Sequence, residues 1–383
     1  MSPTDAPIRA LLLNAVEGLR GGSQRSIRTI ANAMRSAGHP VSVATPAGPW
    51  AELMRADGIP PHPLQTSGWL GGMVHQASLT NLVRLVQLCR RERIQVLHTF
   101  QYGSSLLARA AADVLSIGHL HTVLGPLSPG QRFGDDHMTA HCGRMRRDAI
   151  AVGAQPQRVD VIPHRFAFAD SEPLDPPAEP QITLIARLDG PLSVAAEQFV
   201  EAARLVVLPA KFVVVGAGGD LDRLRRAAGP VTFQGWREDL DAVYRETTLL
   251  VGSARCVVEG LAAGVPSLVL APNGFRGVVE PGTWDGLHDT NFYMDGETPT
   301  GPATLAAAID ELLDSPVRQH ELRSWSPDWT RGRLDMRHGV PLWESAWRRA
   351  MVRPARLGST AGLVLGLAAT RGWRTLKRRL SER

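Results

Sequence analysis

The stretch Val251-Gly252-Ser253-Ala254-Arg255-Cys256-Val257-Val258-Glu259-Gly260-Leu261-Ala262-Ala263-Gly264-Val265-Pro266 reads as the end of one strand, a short helix of small residues and the approach to the next strand. The apolar run stops at Gly252, helical spacing takes over, and Gly264 closes the helix. Glu259 lies in an otherwise apolar helix, and its neighbours Val258, Leu261 and Ala262 predict that it is buried. A buried carboxylate needs hydrogen-bond partners. Two vicinal hydroxyls of a ribose would supply them.

Working outward, the same strand–helix alternation repeats on both sides. Strands are expected at Ile182–Ala186, Phe212–Val215, Val231–Gln234, Leu249–Val251 and Ser267–Leu270, with helices over 193–206, 220–227, 239–246, 256–263, 302–314 and 316–324. The first half carries its own series. Strands are expected at Ile8–Asn14, Val41–Thr45, Ile94–His98, Ile117–Val123, His137–His141 and Val159–Ile162, separated by helices over 24–37, 78–93, 103–115 and 143–152. Alternation at this spacing predicts α/β architecture with parallel, doubly wound sheets. Residues 163–180 hold five prolines and break the rhythm, as a hinge or linker does. The expected organisation is an N-terminal Rossmann-like domain over 1–165, a C-terminal nucleotide-binding one over 166–350, the two facing a cleft, and a basic tail over 351–383.

Composition narrows the function classes. Hydrophobic residues make up 44% and charged residues 21% of the 383, as in an ordinary globular chain. Cys89, Cys142 and Cys256 are odd in number and far apart. They predict neither a disulfide framework nor a metal knuckle and suit a reducing compartment, so a cytoplasmic location is expected. No signal peptide is read at the N-terminus, and no apolar run reaches membrane-spanning length. The tail over 351–383 carries net +7 out of a total of +5, which leaves −2 on residues 1–350. General nucleic-acid binding therefore loses its main support. Within 370–380, Trp373, Leu376 and Leu380 share one helical face beside Arg374, Lys377 and Arg378. That pattern fits an amphipathic helix on an anionic membrane surface, or a helix packed back on the body. Lys211 and Lys377 are the only lysines, so a site that needs a fixed cation must draw on arginine.

Four places carry candidate chemistry. Gly21-Gly22-Ser23-Gln24-Arg25 lies between the first strand and first helix, where backbone N–H groups face an anion. Arg187-Leu188-Asp189 follows a strand end, and an arginine there suits a diphosphate. Gly252, Arg255 and Glu259 form the third group, and Gly274 in Asn273-Gly274-Phe275-Arg276-Gly277 lines the same sheet edge. Asp220-Leu221-Asp222 and Asp239-Leu240-Asp241 both open helices, and N-capping explains them better than metal binding. Gly216-Ala217-Gly218-Gly219 lacks the spacing of a dinucleotide fingerprint. His119, His121, His137 and His141 straddle different elements and do not make a metal cluster.

In order and spacing these pieces resemble the family 4 glycosyltransferases of GT-B fold. The likeness takes in Gly21–Arg25, Ala37–Val43, Val159–His164, Arg187–Asp189, Val213–Gly216, Val231–Gly235, Glu259–Pro266 and Asn291-Phe292. The resemblance implies a sugar transferase using a nucleoside-diphosphate sugar, with Arg187 on the diphosphate, Glu259 on the ribose and the Gly22 loop near the phosphates. It further implies retention of configuration, no metal and no separate cofactor. The acceptor, whether a glycan, a lipid-linked or a small molecule, stays open, and His98 or His121 is the acceptor-side expectation. If the tail binds membrane, the location becomes peripheral on the inner membrane surface. Two family positions differ here. The lysine five residues after the motif arginine is Leu192, and the glutamate eight residues before Glu259 is Val251. Arg255 is expected to replace the missing cation. The rival readings are a catalytically degenerate GT-B protein that binds a nucleotide or partner, and a GT-B-shaped nucleotide-sugar epimerase.

Overall fold

The computed structural model describes residues 6–18, 21–65, 67–70, 73–75, 78–127, 131, 133, 136–168, 174–293 and 300–352. The basic tail beyond residue 352 lies outside the described residues. In chain order the first series is β1 (Ala10–Leu13), α1 (Gly22–Ser36), β2 (Val41–Thr45), α2 (Pro49–Ala56), β3 (Pro61–Pro63), β4 (Ser67–Leu70), β5 (Met73–His75), α3 (Leu79–Glu92), β6 (Val96–Thr99), α4 (Tyr102–Leu115), β7 (Gly118–Val123), β8 (His137–Ala140), α5 (Gly143–Ala151) and β9 (Val159–Val161). The second is β10 (Gln181–Ile185), α6 (Val194–Leu205), β11 (Lys211–Val215), α7 (Leu221–Arg226), β12 (Val231–Gly235), α8 (Leu240–Arg245), β13 (Leu249–Gly252), α9 (Arg255–Ala262), β14 (Ser267–Ala271), β15 (Gly274–Val278), α10 (Trp284–Asp289), α11 (Pro302–Leu313), α12 (Pro316–Leu334) and α13 (Val340–Met351).

Two compact units result, one of residues 1–167 with 336–383 and one of residues 168–335. The first holds a seven-stranded parallel sheet in the order β3-β2-β1-β6-β7-β8-β9. The second holds a six-stranded sheet in the order β12-β11-β10-β13-β14-β15, parallel except for β15 at its edge. The inner strands are buried because helices cover both faces, and β1 and β13 are apolar along their length. Leu11, Leu12 and Leu13 are fully buried in one sheet, and Leu249, Leu250 and Val251 in the other.

The C-terminal boundary differs from the sequence expectation, which placed residues up to 350 in the second domain. α13 returns to the first sheet, where Trp343 and Trp347 are fully buried among Ile8, Leu12, Val96 and Leu120. The backbone turns back as the Met336 N–H donates to the Phe166 carbonyl at 2.8 Å. α12 also runs further than expected, through Pro327 to Leu334. A proline inside a helix removes one hydrogen bond and crowds the preceding turn. Burial of Leu322, Ser326, Thr330 and Leu334 on that helix offsets the loss, and the Arg323 guanidinium donates to the carbonyls of Thr248 at 2.9 Å and Gly264 at 3.2 Å. Sequence reading also missed α2, β3, β4, β5, α10 and β15, which are short or lie at an edge, and it missed α13.

Histidines fill much of the first sheet's interior. Trp347 Nε1–H donates to His98 Nδ1 at 3.2 Å, so the other nitrogen, Nε2, carries the ring proton and donates to Thr122 Oγ1 at 2.7 Å. Burial holds the His98 pKa well below its ordinary value, with the neighbouring histidines adding to the effect. Burial, then His119, pushes His121 down to about 3. Both rings stay neutral when folded, whereas unfolded histidines take up protons near pH 6.5. Stability is therefore complete above that pH and is lost as pH falls through 6 and 5, by up to about 1.4 kcal/mol per pH unit for each such ring. Urea unfolding midpoints measured at pH 7.5 and pH 5 should differ in that direction, and a His121→Phe variant that still folds should narrow the gap.

Candidate functional site

The second sheet has one place where its strand order reverses. β10 pairs with β11 on one side and with β13 on the other, all parallel, and Ile185 sits opposite Gly252. From β10 the chain winds outward through β11 and β12, then returns to the far side of β10 and continues through β13 and β14. The flanking connections therefore leave in opposite directions and open a crevice beyond the strand ends. Arg187 follows β10 and Arg255 follows β13, so the two predicted cations flank this switch point. Arg187 is exposed and pairs with Asp189 at 3.3 Å, a surface pair worth little to stability.

Arg255 and Glu259 meet one turn apart on α9. Arg255 Nη2 donates to Glu259 Oε1 at 2.7 Å, with the two side chains only 15% and 19% exposed. The Tyr244 hydroxyl on α8 donates to Glu259 Oε2 at 3.3 Å. Burial first, then the adjacent carboxylate, raises the tyrosine pKa well above its ordinary value, which leaves a neutral donor. Glu259 is half-buried rather than enclosed, and the guanidinium and the phenol answer its charge. Cys256 is no nucleophile in this setting. Burial pushes its thiol up to about 12, and Sγ lies 3.1 Å from the Ser253 carbonyl.

The turn into α9 is strained. Ala254 has φ 53° and ψ −122°, a conformation that favours glycine. Its N–H donates to the Phe292 carbonyl at 2.9 Å, and Asn291 and Phe292 are themselves left-handed at φ 56° and 51°. Gly252 lets the turn pack closely, because a Cβ there would lie 2.5 Å from Cys256 Sγ and force that side chain to move.

The loops beyond β10 and β11 interlock. A Cβ on Gly216 would fall 1.9 Å from the Ala186 carbonyl oxygen, and one on Gly218 would fall 2.1 Å from that of Leu188. Asp189 Oδ1 accepts from the Gly219 N–H at 2.7 Å, and Asp220 Oδ2 accepts from the Gly190 N–H at 2.7 Å. The glycine run that looks like a dinucleotide fingerprint therefore braces the Arg187 segment. Asp239 caps α8 through the Ala242 N–H at 3.0 Å, as expected. Asp220 does not cap α7; Gly190 has claimed its carboxylate. Gly274, at φ 134°, opens antiparallel β15 just after the turn from β14, three strands away from β10.

Gly21 and Gly22 belong to the first unit, where α1 begins with no side-chain cap. Ser26 donates to the Gly22 carbonyl at 2.7 Å and accepts from His164 Nε2 at 2.6 Å, and the His164 ring stacks on His141. The expected acceptor-side histidines are core groups. His98 is wedged among Phe100, Trp343 and Trp347, and His121 stacks on Phe133 with Nδ1 3.0 Å from Thr99 Oγ1. They are 0% and 3% exposed, so an acceptor cannot reach them. His119 faces the buried Asp136 and Thr99, and His137 faces Asp160 at 2.6 Å. Among the described residues no three acidic, histidine or cysteine side chains gather as metal ligands.

Residues 20–164 match the family model of glycosyltransferase family 4, and residues 179–315 match that of group 1 glycosyl transferases. The chain belongs to the glycosyltransferases. No curated protein sequence matches it. Among solved structures, HepE of Anabaena in complex with UDP superposes with a TM-score of 0.70 at 16% identity, over 89% of this chain and 100% of that one. A Rickettsia africae glycosyltransferase gives 0.71 at 13%, over 91% and 100%. The sucrose-phosphate synthase of Thermosynechococcus elongatus gives 0.64 at 14%, over 89% and 98%. At these identities the likeness establishes the fold, and the glycosyltransferase is a GT-B protein with two parallel-sheet α/β domains. No helix among the described residues is long and apolar enough to cross a membrane.

Two substitutions test the local geometry of the glycosyltransferase. Gly216→Ala drives a methyl group into a backbone carbonyl and should cost about 1–3 kcal/mol, a fall of several degrees in Tm. Ala254→Gly removes the strain at the start of α9, and its Tm should equal or exceed that of the parent.

Proposed function

We propose that this glycosyltransferase takes a sugar from a nucleoside-diphosphate donor bound at the β10/β13 switch point. The observation that carries the reading is the emergence of Arg187 and Arg255 on either side of that point, with Glu259 one turn into α9. In this reading Arg187 and Arg255 bear the diphosphate and Glu259 accepts from the ribose hydroxyls. The flanking turns at Gly252 and Gly274 bring backbone close to the donor. The Gly21-Gly22 turn offers the amides of α1 to an anion by the same principle. That HepE of Anabaena was solved with UDP and with UDP-glucose supports a nucleotide-sugar donor for this chain.

The chemistry follows from charge. Breaking the sugar–phosphate bond leaves growing negative charge on the departing diphosphate. Fixed guanidinium groups in a partly buried crevice stabilise it more than water does, because they need not reorganise as it forms. Guanidinium groups meet the demand for positive charge, so the proposal calls for no metal ion and no separate cofactor. The family resemblance supports retention of anomeric configuration. The acceptor is a glycan, a lipid-linked sugar or a small hydroxyl compound. An anionic membrane surface is proposed as the partner of residues 351–383. Liposome co-sedimentation of the full chain against a chain ending at residue 352 tests that part, and equal binding removes it.

For the donor site, the expected result is that Arg187→Ala and Glu259→Ala each lower kcat/KM at least about tenfold, or about 1.4 kcal/mol. The assay is release of nucleoside diphosphate from a panel of nucleotide-sugars. Unchanged rates in both variants would sink the assignment, and interconversion of the free nucleotide-sugar without acceptor would mark an epimerase.

A further inference from the structure

The hydroxyl of Tyr244 belongs to none of the sequence motifs, yet it points at the carboxylate on which the donor reading depends. Its ring is buried, with the hydroxyl 3.3 Å from Glu259 Oε2 and 3.5 Å from the Cys256 carbonyl oxygen. The carboxylate is nearer, and a carboxylate accepts more strongly than a neutral carbonyl. Arg255 holds the other oxygen, Oε1, at 2.7 Å. The two oxygens of Glu259 are thus gripped from two different helices, α8 and α9.

We propose that Tyr244 is a positioning residue for the ribose of the donor, acting through Glu259. The inference rests on the donor reading above and deepens it. The last torsion of a glutamate side chain is broad and roughly two-fold. A carboxylate tethered through one oxygen swivels about that contact. A second donor on the other oxygen, fixed on a separate helix, sets the plane of the group. Two vicinal hydroxyls lie at a set separation and angle, so their bonds to a carboxylate depend on that plane. A carboxylate accepts more than two hydrogen bonds, so the clamp orients Glu259 without using it up. Packing alone does not account for the hydroxyl. Phenylalanine would fill the same space, and a buried hydroxyl is costly unless it is bonded. The neighbouring Cys256 thiol does not compete for Glu259, because it faces the carbonyls of Ser253 and Ile185.

The test is calorimetric titration of the full chain with UDP, ADP and GDP, each beside its 2′,3′-dideoxy form. The wild type should bind its preferred diphosphate at least about tenfold more tightly than the dideoxy form. Tyr244→Phe removes one oxygen and keeps the ring, so the fold should survive with a slightly lower Tm. This variant should bind the parent nucleotide about fivefold more weakly, the worth of one hydrogen bond, and bind the dideoxy form as the wild type does. The discrimination between the two ligands then shrinks by the same factor. An unchanged discrimination with only a lower Tm overturns the positioning role. Glu259→Gln separates the two ideas. If it loses the ribose discrimination while Tyr244→Phe keeps it, only the role of Tyr244 fails. If Glu259→Gln also keeps it, or if the wild type binds none of the nucleotides, the donor reading fails and takes the inference with it.

Discussion

The parallel pairing of β10 with β11 on one side and β13 on the other is the constraint on which the candidate site depends. Register fixes Ile185 beside Gly252, and register in a buried sheet is firmly held, since a one-residue slip would turn every side chain to the opposite face. The residues that follow each strand therefore emerge together, although Arg187 and Arg255 are far apart in the chain. The reversal of strand order there opens the crevice. The interlocked loops beyond it, in which Asp189 binds Gly219 and Asp220 binds Gly190, keep the Arg187 segment from drifting. The glycines at 216 and 218 permit that interlock by removing the side chains that would keep the two backbones apart.

Around this frame the charged groups are arranged by depth. Arg187 stands in solvent, held only by a weak surface pair with Asp189, where a guanidinium costs little and can meet an incoming anion. Arg255 and Glu259 are mostly buried, where an unpaired charge would be heavily penalised, and each answers the other. The hydroxyl of Tyr244 completes the set. The same turn bears backbone strain at Ala254, held by the Phe292 carbonyl. Strain of this kind persists only where surrounding packing over-determines it, and here the fully buried strands β13 and β14 provide that packing.

The first unit solves a different problem. Its sheet interior contains histidines and threonines as well as aliphatic residues, and several of their polar atoms pair across neighbouring strands. His98 bonds Thr122, Thr122 bonds Thr139, and Thr99 lies between His119 and His121. α13 closes this face with two tryptophans, one of them bonded to His98. The arrangement ties the end of the described chain to its beginning, and it leaves those histidines with a packing role.

The sequence by itself determined the architecture. Apolar runs of strand length alternating with helical spacing admit only parallel sheets covered on both faces, and the glycine and proline punctuation located most elements. It also pointed to a Glu259 set among the apolar Val258, Leu261 and Ala262 and in need of a partner. Arg255, one turn back on α9, is a partner that local spacing allows, but tertiary structure alone supplied the second, because Tyr244 lies fifteen residues away on another helix and no local pattern ties a phenol to a carboxylate at that distance. It alone showed that His98 and His121 are enclosed, since a histidine in a strand looks the same whether its strand is at the edge or in the middle of a sheet. It alone returned α13 to the first unit. Sequence reading placed no helix at Trp343 and Trp347, and long-range packing set them against the first sheet rather than the second.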